Sequence, residues 1–272
     1  MRRTFAGFIF GLAYLCAALS LGGWFLQRTA FSPDRTADTA QAVLQDPKIS
    51  TEIVDLIADN AAPQLGVAPD EVRATVTGLL DDPATSAAMS AEMAEILRDA
   101  HAHLIGAQKA PVQITDTEVR DIVRNDAVIG MAPITLPVPE VSALSVTRQV
   151  LHWLVPVAGI AAVVLGLIGL TAHPDRQALL RSLGFGMLLL AVLVTGLGYI
   201  VPRFAIPALS DSPWTRIPIE LADDALPLVI ALAFVCVGAG VVLLLSSGLI
   251  RRRRRWSSPV STYRYHEQRH WS

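Results

Sequence analysis

Residues 151–172 read LHWLVPVAGIAAVVLGLIGLTA, a run without Asp, Glu, Lys or Arg. The hydrocarbon core of a bilayer, about 30 Å thick, is crossed by about 20 predominantly apolar residues in a helix. The run therefore predicts a transmembrane helix. Three more windows meet the same condition, 5–26, 183–201 and 226–250, and none of them holds Asp, Glu, Lys or Arg either. The whole chain agrees: 272 residues, 52% hydrophobic and 17% charged, with a mean hydropathy of +0.46, are too apolar for an ordinary soluble domain. The first window is longer than the roughly 7 to 15 apolar residues of a secretory signal and lacks a small-x-small cleavage site, so it reads as a retained anchor. Cys16 follows Tyr14 and Leu15, without the small residue that a lipoprotein signal needs before its cysteine.

Charge beside the spans predicts their orientation, because Lys and Arg are retained on the cytoplasmic side. Arg2 and Arg3 precede the first window, Arg176 and Arg181 lie between the second and third, and Arg251, Arg252, Arg253, Arg254 and Arg255 follow the fourth. Four spans put all three groups on one side. The opposite side carries acid: residues 28–148 hold nine Lys or Arg against eighteen Asp or Glu, and residues 202–224 hold two against four. The expected order is a cytoplasmic N-terminus (1–4), a first span (5–26) and an extracytoplasmic helical domain (27–150). A second span (151–172), a cytoplasmic loop (173–182), a third span (183–201) and an extracytoplasmic loop (202–225) follow. The fourth span (226–250) leads to a basic cytoplasmic tail (251–272). Trp24, Phe25, Trp153, Tyr199 and Phe204 mark the outer boundary as an aromatic belt, and Trp214 is expected to dip into the headgroups.

Inside the large segment one phrase occurs twice: LQDPKIS at 44–50 and LDDPATS at 80–86. In each, Asp can accept bonds from the free N–H groups of a helix start while Pro fits the first turn. Apolar residues then recur at three-and-four spacing: Ile49, Ile53, Leu56 and Ile57 after the first motif; Met89, Met93, Ile96, Leu97 and Leu104 after the second. A shorter helix opens at Pro69, and Gly66 and Gly106 read as helix stops. The motif thus predicts two helical hairpin-like units in a compact bundle, two being too few for a solenoid. After Gly106, residues 111–115 (PVQIT) and 134–138 (ITLPV) look extended, a short helix at 118–124 lies between them, and 141–149 reads as a helix running into the second span. The fold class is an all-α membrane protein: four transmembrane helices and a mainly helical extracytoplasmic domain with one or two short extended segments.

Candidate chemistry is sparse. His101 and His103, two apart on a helix, point in different directions and read as solvated or capping residues, and Asp99 with His103 makes only a pair. Asp81, Asp82, Asp116, Glu118, Asp121 and Asp126 read as solvated helix faces, without the calcium-loop pattern. Of Asp, Glu, His, Lys and Arg the windows hold only His152 near one end, which disfavours a proton-coupled pathway. Cys16 and Cys236 both fall within spans, so no disulfide framework is expected. Gly7 and Gly11 form a GxxxG, read with the other span glycines as packing within the chain, a homo-oligomer staying open. The run Arg251 to Arg255 sets the orientation of the last span and is the candidate contact for anionic lipid. No Walker loop, GxSxG, HExxH, CxxC or dinucleotide fingerprint appears.

The succession LQDPKIS, LDDPATS, HAHLIG, PVQIT, a helix into the second span, and HPDRQALLRSLGFG after it resembles a set of uncharacterised actinobacterial four-span integral membrane proteins. The resemblance implies one anchor, an extracytoplasmic helical domain and three closing spans, with no catalytic residues carried over. The expected function is a non-enzymatic integral membrane protein of the cell envelope, in the plasma membrane, whose outer domain is a protein-interaction or assembly module. The alternative is an accessory to lipid or solute transport using the apolar residues Phe204, Ile206, Leu209, Trp214 and Ile217. Expected partners are membrane lipids and an envelope protein, with no nucleic acid, metal or cofactor.

Overall fold

Helix α1, Arg2–Ala30, leaves the bundle and runs directly into the domain it carries, in a computed structural model that describes residues 2–172 and 176–256. Four helical segments are long and apolar enough to cross a membrane: Gly7–Ala30, Ser142–Thr171, Ala178–Leu209 and Pro213–Gly248. The chain is, by length and composition, a four-span multi-pass membrane protein of all-α class. Between the first two spans lie α2 (Pro33–Asp38), α3 (Ala40–Gln45), α4 (Pro47–Leu65), α5 (Pro69–Asp81), α6 (Pro83–Leu104) and α7 (Asp116–Val123). The expected extended segments meet as β1 (Gln113–Ile114) and β2 (Ile134–Thr135), antiparallel, with Gln113 opposite Thr135 and Ile114 opposite Ile134. Helix α8 (Ser142–Ala172) runs unbroken into the second span, as the sequence predicts.

Helix α1 is the axis of the bundle. It packs along α8 on one side and α9 (Arg176–Thr195) on the other, and α10 (Ile217–Trp256) packs mainly on α9. Accordingly 44% of the first span's apolar window is buried against 11% for the second. The exposed remainder is apolar: Val157, Ile160 and Val163 on α8 and Phe234 and Val242 on α10 face outward. Such surface would be costly in water and suits acyl chains. Glycines set the closest approaches. A Cβ on Gly240 would meet the Gly184 carbonyl at 2.9 Å, so α9 and α10 touch backbone to backbone. Among the described residues the expected packing role does not extend to the GxxxG pair, since neither Gly7 nor Gly11 has an atom within 4 Å of an added Cβ position.

The segment 202–225, expected as a loop, is mostly helical. The third span continues as a π-helix, Gly196–Ala205, around Pro202, and two short 3-10 turns, Pro207–Leu209 and Pro213–Arg216, lead into α10 at Ile217. Part of it packs inward for a simple reason: Trp214, Ile217 and Leu221 fall at three-and-four spacing on one side, with the Pro213–Arg216 turn against α4 and α6 and α10 reaching α2 and α3. Trp214 is only 1% exposed and does not lie among headgroups. One apolar core therefore runs from Leu26 and Ala30 of α1 through α3–α7 to Leu144 and Leu151 of α8, and takes in Ile206, Trp214, Ile217 and Leu221. Spans and domain share it.

The join between α6 and α8 depends on Gly106. Its φ of +66° is the left-handed conformation that favours glycine, and an added Cβ would lie 2.4 Å from Ser145 Cβ. Gly66 has nearly the same φ, +67°, but open space around it. Gly66→Ala should therefore cost about 1 kcal/mol of backbone strain, while Gly106→Ala should cost about 2–4 kcal/mol because overpacking adds to the strain. Thermal unfolding in detergent should show a clearly larger fall for Gly106→Ala; equal falls would mean that the α6–α8 contact does not constrain the fold.

Candidate functional site

The two Leu-x-Asp-Pro motifs form equivalent helix starts. Asp46 accepts bonds from the backbone N–H groups of Lys48 (2.9 Å) and Ile49 (3.4 Å), and Asp82 accepts from that of Thr85 (3.3 Å). Each Asp ends one helix and caps the next, α3 to α4 and α5 to α6. The motifs also converge in space. Leu44, Gln45, Pro47 and Ser50 of the first and Leu80, Asp81 and Ser86 of the second line one groove of about 320 Å³, floored by Val54 and rimmed by Thr51 and Thr77.

Beyond capping, the motifs diverge. Asp82 is exposed, whereas Asp46 has 2% of its side-chain surface exposed. Its second oxygen, Oδ2, takes the Arg216 Nε at 2.5 Å, from the turn just before α10. One carboxylate thus starts α4 and holds the segment that joins spans three and four. Two further pairs act nearby: Arg35 of α2 reaches Asp224 of α10 at 2.8 Å, and Arg203 pairs with Asp223. Both are half exposed and each contributes little alone. The Asp46–Arg216 pair differs because a buried carboxylate that loses its cation is costly.

His101 is the second junction. Expected as solvated or capping, it is fully buried, with Nδ1 2.6 Å from Thr36 Oγ1 of α2 and Nε2 3.0 Å from the Ala30 carbonyl at the end of α1. A carbonyl only accepts, so Nε2 carries the proton and Thr36 donates to Nδ1. Burial pushes the imidazole pKa down to about 4, opposed in part by the bond to Ala30. The ring is neutral and ties the first span to α2 and α6. His103 is half-buried and turned elsewhere, with Nδ1 lacking a partner among the described residues, so the two histidines do not converge.

The other candidates serve local structure. Glu118 and Thr115 form a capping box on α7, Asp116 accepts from the Gly130 N–H at 2.8 Å, Asp121 pairs with Arg120 and Asp99 with Arg98. Asp81 and Asp126 are exposed. Among the described residues no three His, Cys, Asp or Glu side chains stand together to hold a metal ion. Cys16 and Cys236 are both free thiols. Arg251 to Arg255 belong to the last turns of α10, but their side chains, like residues 257–272, lie outside the described residues. Ile206, Trp214 and Ile217 are buried in the core and only Phe204 and Leu209 are exposed, so the apolar set proposed for lipid or solute passage does not line a common groove. Comparison of the chain with family models, with curated proteins and with solved structures gave no match in any of the three.

Two outcomes follow from this geometry. Arg216→Ala strands a buried carboxylate and should cost about 3 kcal/mol, whereas Asp82→Ala removes an exposed cap and should cost about 1 kcal/mol; chemical denaturation of the purified protein separates them, and equal losses would reduce Asp46 to a simple cap. His101 titrates near its ordinary 6.5 in the unfolded chain and near 4 when folded. The unfolded chain binds that proton first as pH falls, so stability is complete above about 6.5 and is lost by about 1.4 kcal/mol per pH unit down to about 4. His101→Gln, which can donate to Ala30 and accept from Thr36, should fold and flatten this part of the pH–stability curve; an unchanged slope would assign it to other groups.

Proposed function

We propose that the chain is a non-enzymatic integral membrane protein of the cell envelope, whose helical domain lies outside the cell as a protein-interaction or assembly module, with both termini in the cytoplasm. The observation that carries this reading is the shared core: a domain continuous with the ends of all four spans is held at a fixed attitude to the membrane, which suits presentation of a surface. Orientation rests on the positive flanks of the spans against eighteen acids in residues 28–148. The same architecture is what the resemblance to actinobacterial four-span proteins implies. The groove between the two motifs is the proposed contact surface, since it mixes apolar Leu44, Val54 and Leu80 with the hydroxyls of Ser50, Thr51, Thr77 and Ser86.

Orientation is tested with Cys16 and Cys236 replaced by Ala and a single cysteine placed at exposed Glu71 or at Ser272. A membrane-impermeant maleimide should label Glu71→Cys in intact cells and Ser272→Cys only after permeabilisation; the reverse pattern would invert the topology. For the partner, the intact protein should be purified in mild detergent beside Ser50→Arg/Thr77→Arg, which fills the groove. The expected result is a stoichiometric protein partner that the variant loses at least tenfold, about 1.4 kcal/mol, with its unfolding temperature unchanged. A partner that ignores the substitutions, or none at all, would overturn the assignment to this groove.

A further inference from the structure

Helices α1 and α8 run antiparallel in a register that glycines make visible. A Cβ on Gly159 would meet Ser20, one on Gly169 would meet Phe10, and one on Gly23 would meet Val155 and Leu151. Trp24 and Trp153 therefore stand at similar height, and one turn further toward the domain Arg28 stands near the level of Arg148. Both tryptophans are exposed, 47% and 67%, at the ends of apolar spans, where indole rings sit at headgroup level. The Arg28 guanidinium lies 5.8 Å from the Trp24 ring centroid.

Above the tryptophans these helices and the segment after α6 enclose a groove of about 800 Å³. Its wall carries Arg28, Lys109, Arg148 and His152, with Glu140 as the carboxylate among the lining residues. This is unusual for a domain in which acids outnumber bases two to one. Elsewhere on that domain Arg35, Arg73, Arg98 and Arg120 are each held in an ion pair, and Lys48 and Arg124 stand singly on the surface without one among the described residues. Among the described residues no ion pair engages Arg28, Lys109 or Arg148, although all three share one groove. Such cations repel one another until an anion joins them. Below them the outward face of α8, with Val157, Ile160 and Val163, is apolar and exposed. A ligand filling both regions has an anionic head and hydrocarbon chains.

We infer that this groove binds the phosphate of an anionic phospholipid drawn from the leaflet on the domain's side, with Arg28, Lys109 and Arg148 holding the phosphate oxygens, His152 and Trp153 beside the glycerol, and the acyl chains along α8. The site is separate from the motif groove and does not depend on the function proposed for it. It differs from a loose surface attraction because its cations come from three segments, α1, the stretch after α6 and α8, which only the folded junction brings together.

The intact protein in mixed micelles, titrated with phosphatidylglycerol or phosphatidylcholine and read by native mass spectrometry, tests it. The wild type should retain phosphatidylglycerol preferentially. Lys109→Gln/Arg148→Gln should weaken that binding about 25-fold, about fivefold per cation, while Lys109→Arg/Arg148→Lys should retain it. Lys48→Gln/Arg124→Asn removes the same charge from exposed positions away from the groove and should leave binding within about twofold; unfolding temperatures of all variants check that they fold. No preference for the anionic lipid, or equal loss in the control variant, would overturn the site. Displacement of the lipid by excess inorganic phosphate alone would show a free-phosphate site and would overturn the lipid assignment.

Discussion

The carboxylate of Asp46 has two tasks that cannot be separated. One oxygen starts α4 by accepting backbone N–H groups, and the other holds Arg216 from a segment 170 residues away. With 2% of the side chain exposed, the charge is stable only while both tasks are met. One of the places where the domain shares a core with the bundle lies close to this contact: Trp214 two residues before Arg216, Ile217 just after it, and Leu221 one turn on are all buried in that core. The domain is therefore not a bead on a string. Its interior continues into the third-to-fourth span connection, and a disturbance at Arg216 is a disturbance of α4.

Two solvents shape the rest of the molecule. On the domain, apolar residues are inside and the surface is acidic, with Arg35, Arg73, Arg98 and Arg120 held in ion pairs. In the bundle, α8 and α10 expose apolar faces because their surroundings are expected to be hydrocarbon, and small residues rather than large ones mark the closest helix contacts. The boundary between the two regimes is where the unusual chemistry collects: buried neutral His101 on the end of α1, the Arg–Asp pairs around α10, and the unpaired cations of the α1–α8 groove. A membrane protein with a rigidly joined domain must satisfy the ends of its spans there.

Local chemistry was legible in the sequence and distant pairing was not. Both Asp-Pro helix starts, the Gly66 and Gly106 stops, the two extended segments and the existence of four spans follow from capping, backbone freedom and apolar length, whereas the pairing of the strands and the outer ends of the spans, which extend up to thirteen residues beyond the apolar windows, do not. Asp46 reads the same as Asp82 in sequence, and only the fold brings Arg216 to one of them. Trp214 near a span resembles an interfacial anchor. Its spacing to Ile217 and Leu221 is the signal in the sequence for a buried helical stripe. His101 sits among Leu97, Ala100 and Leu104, an apolar face that points to burial, but its partners Thr36 and Ala30 lie too far away in sequence to be seen. The groove between the motifs likewise needs α3 to α6 in place before the repeat becomes a surface.

The joint folding of domain and bundle is tested most directly by hydrogen–deuterium exchange on the intact protein in nanodiscs, comparing wild type with Arg216→Ala. If the core is shared, amide protection should fall together in Pro47–Leu65, in residues 26–30 and in residues 214–222, although only the last surrounds the substitution. A loss confined to residues 210–222, with α4 and the end of α1 fully protected, would contradict it and would make the domain an independent body tied to the spans by contact alone.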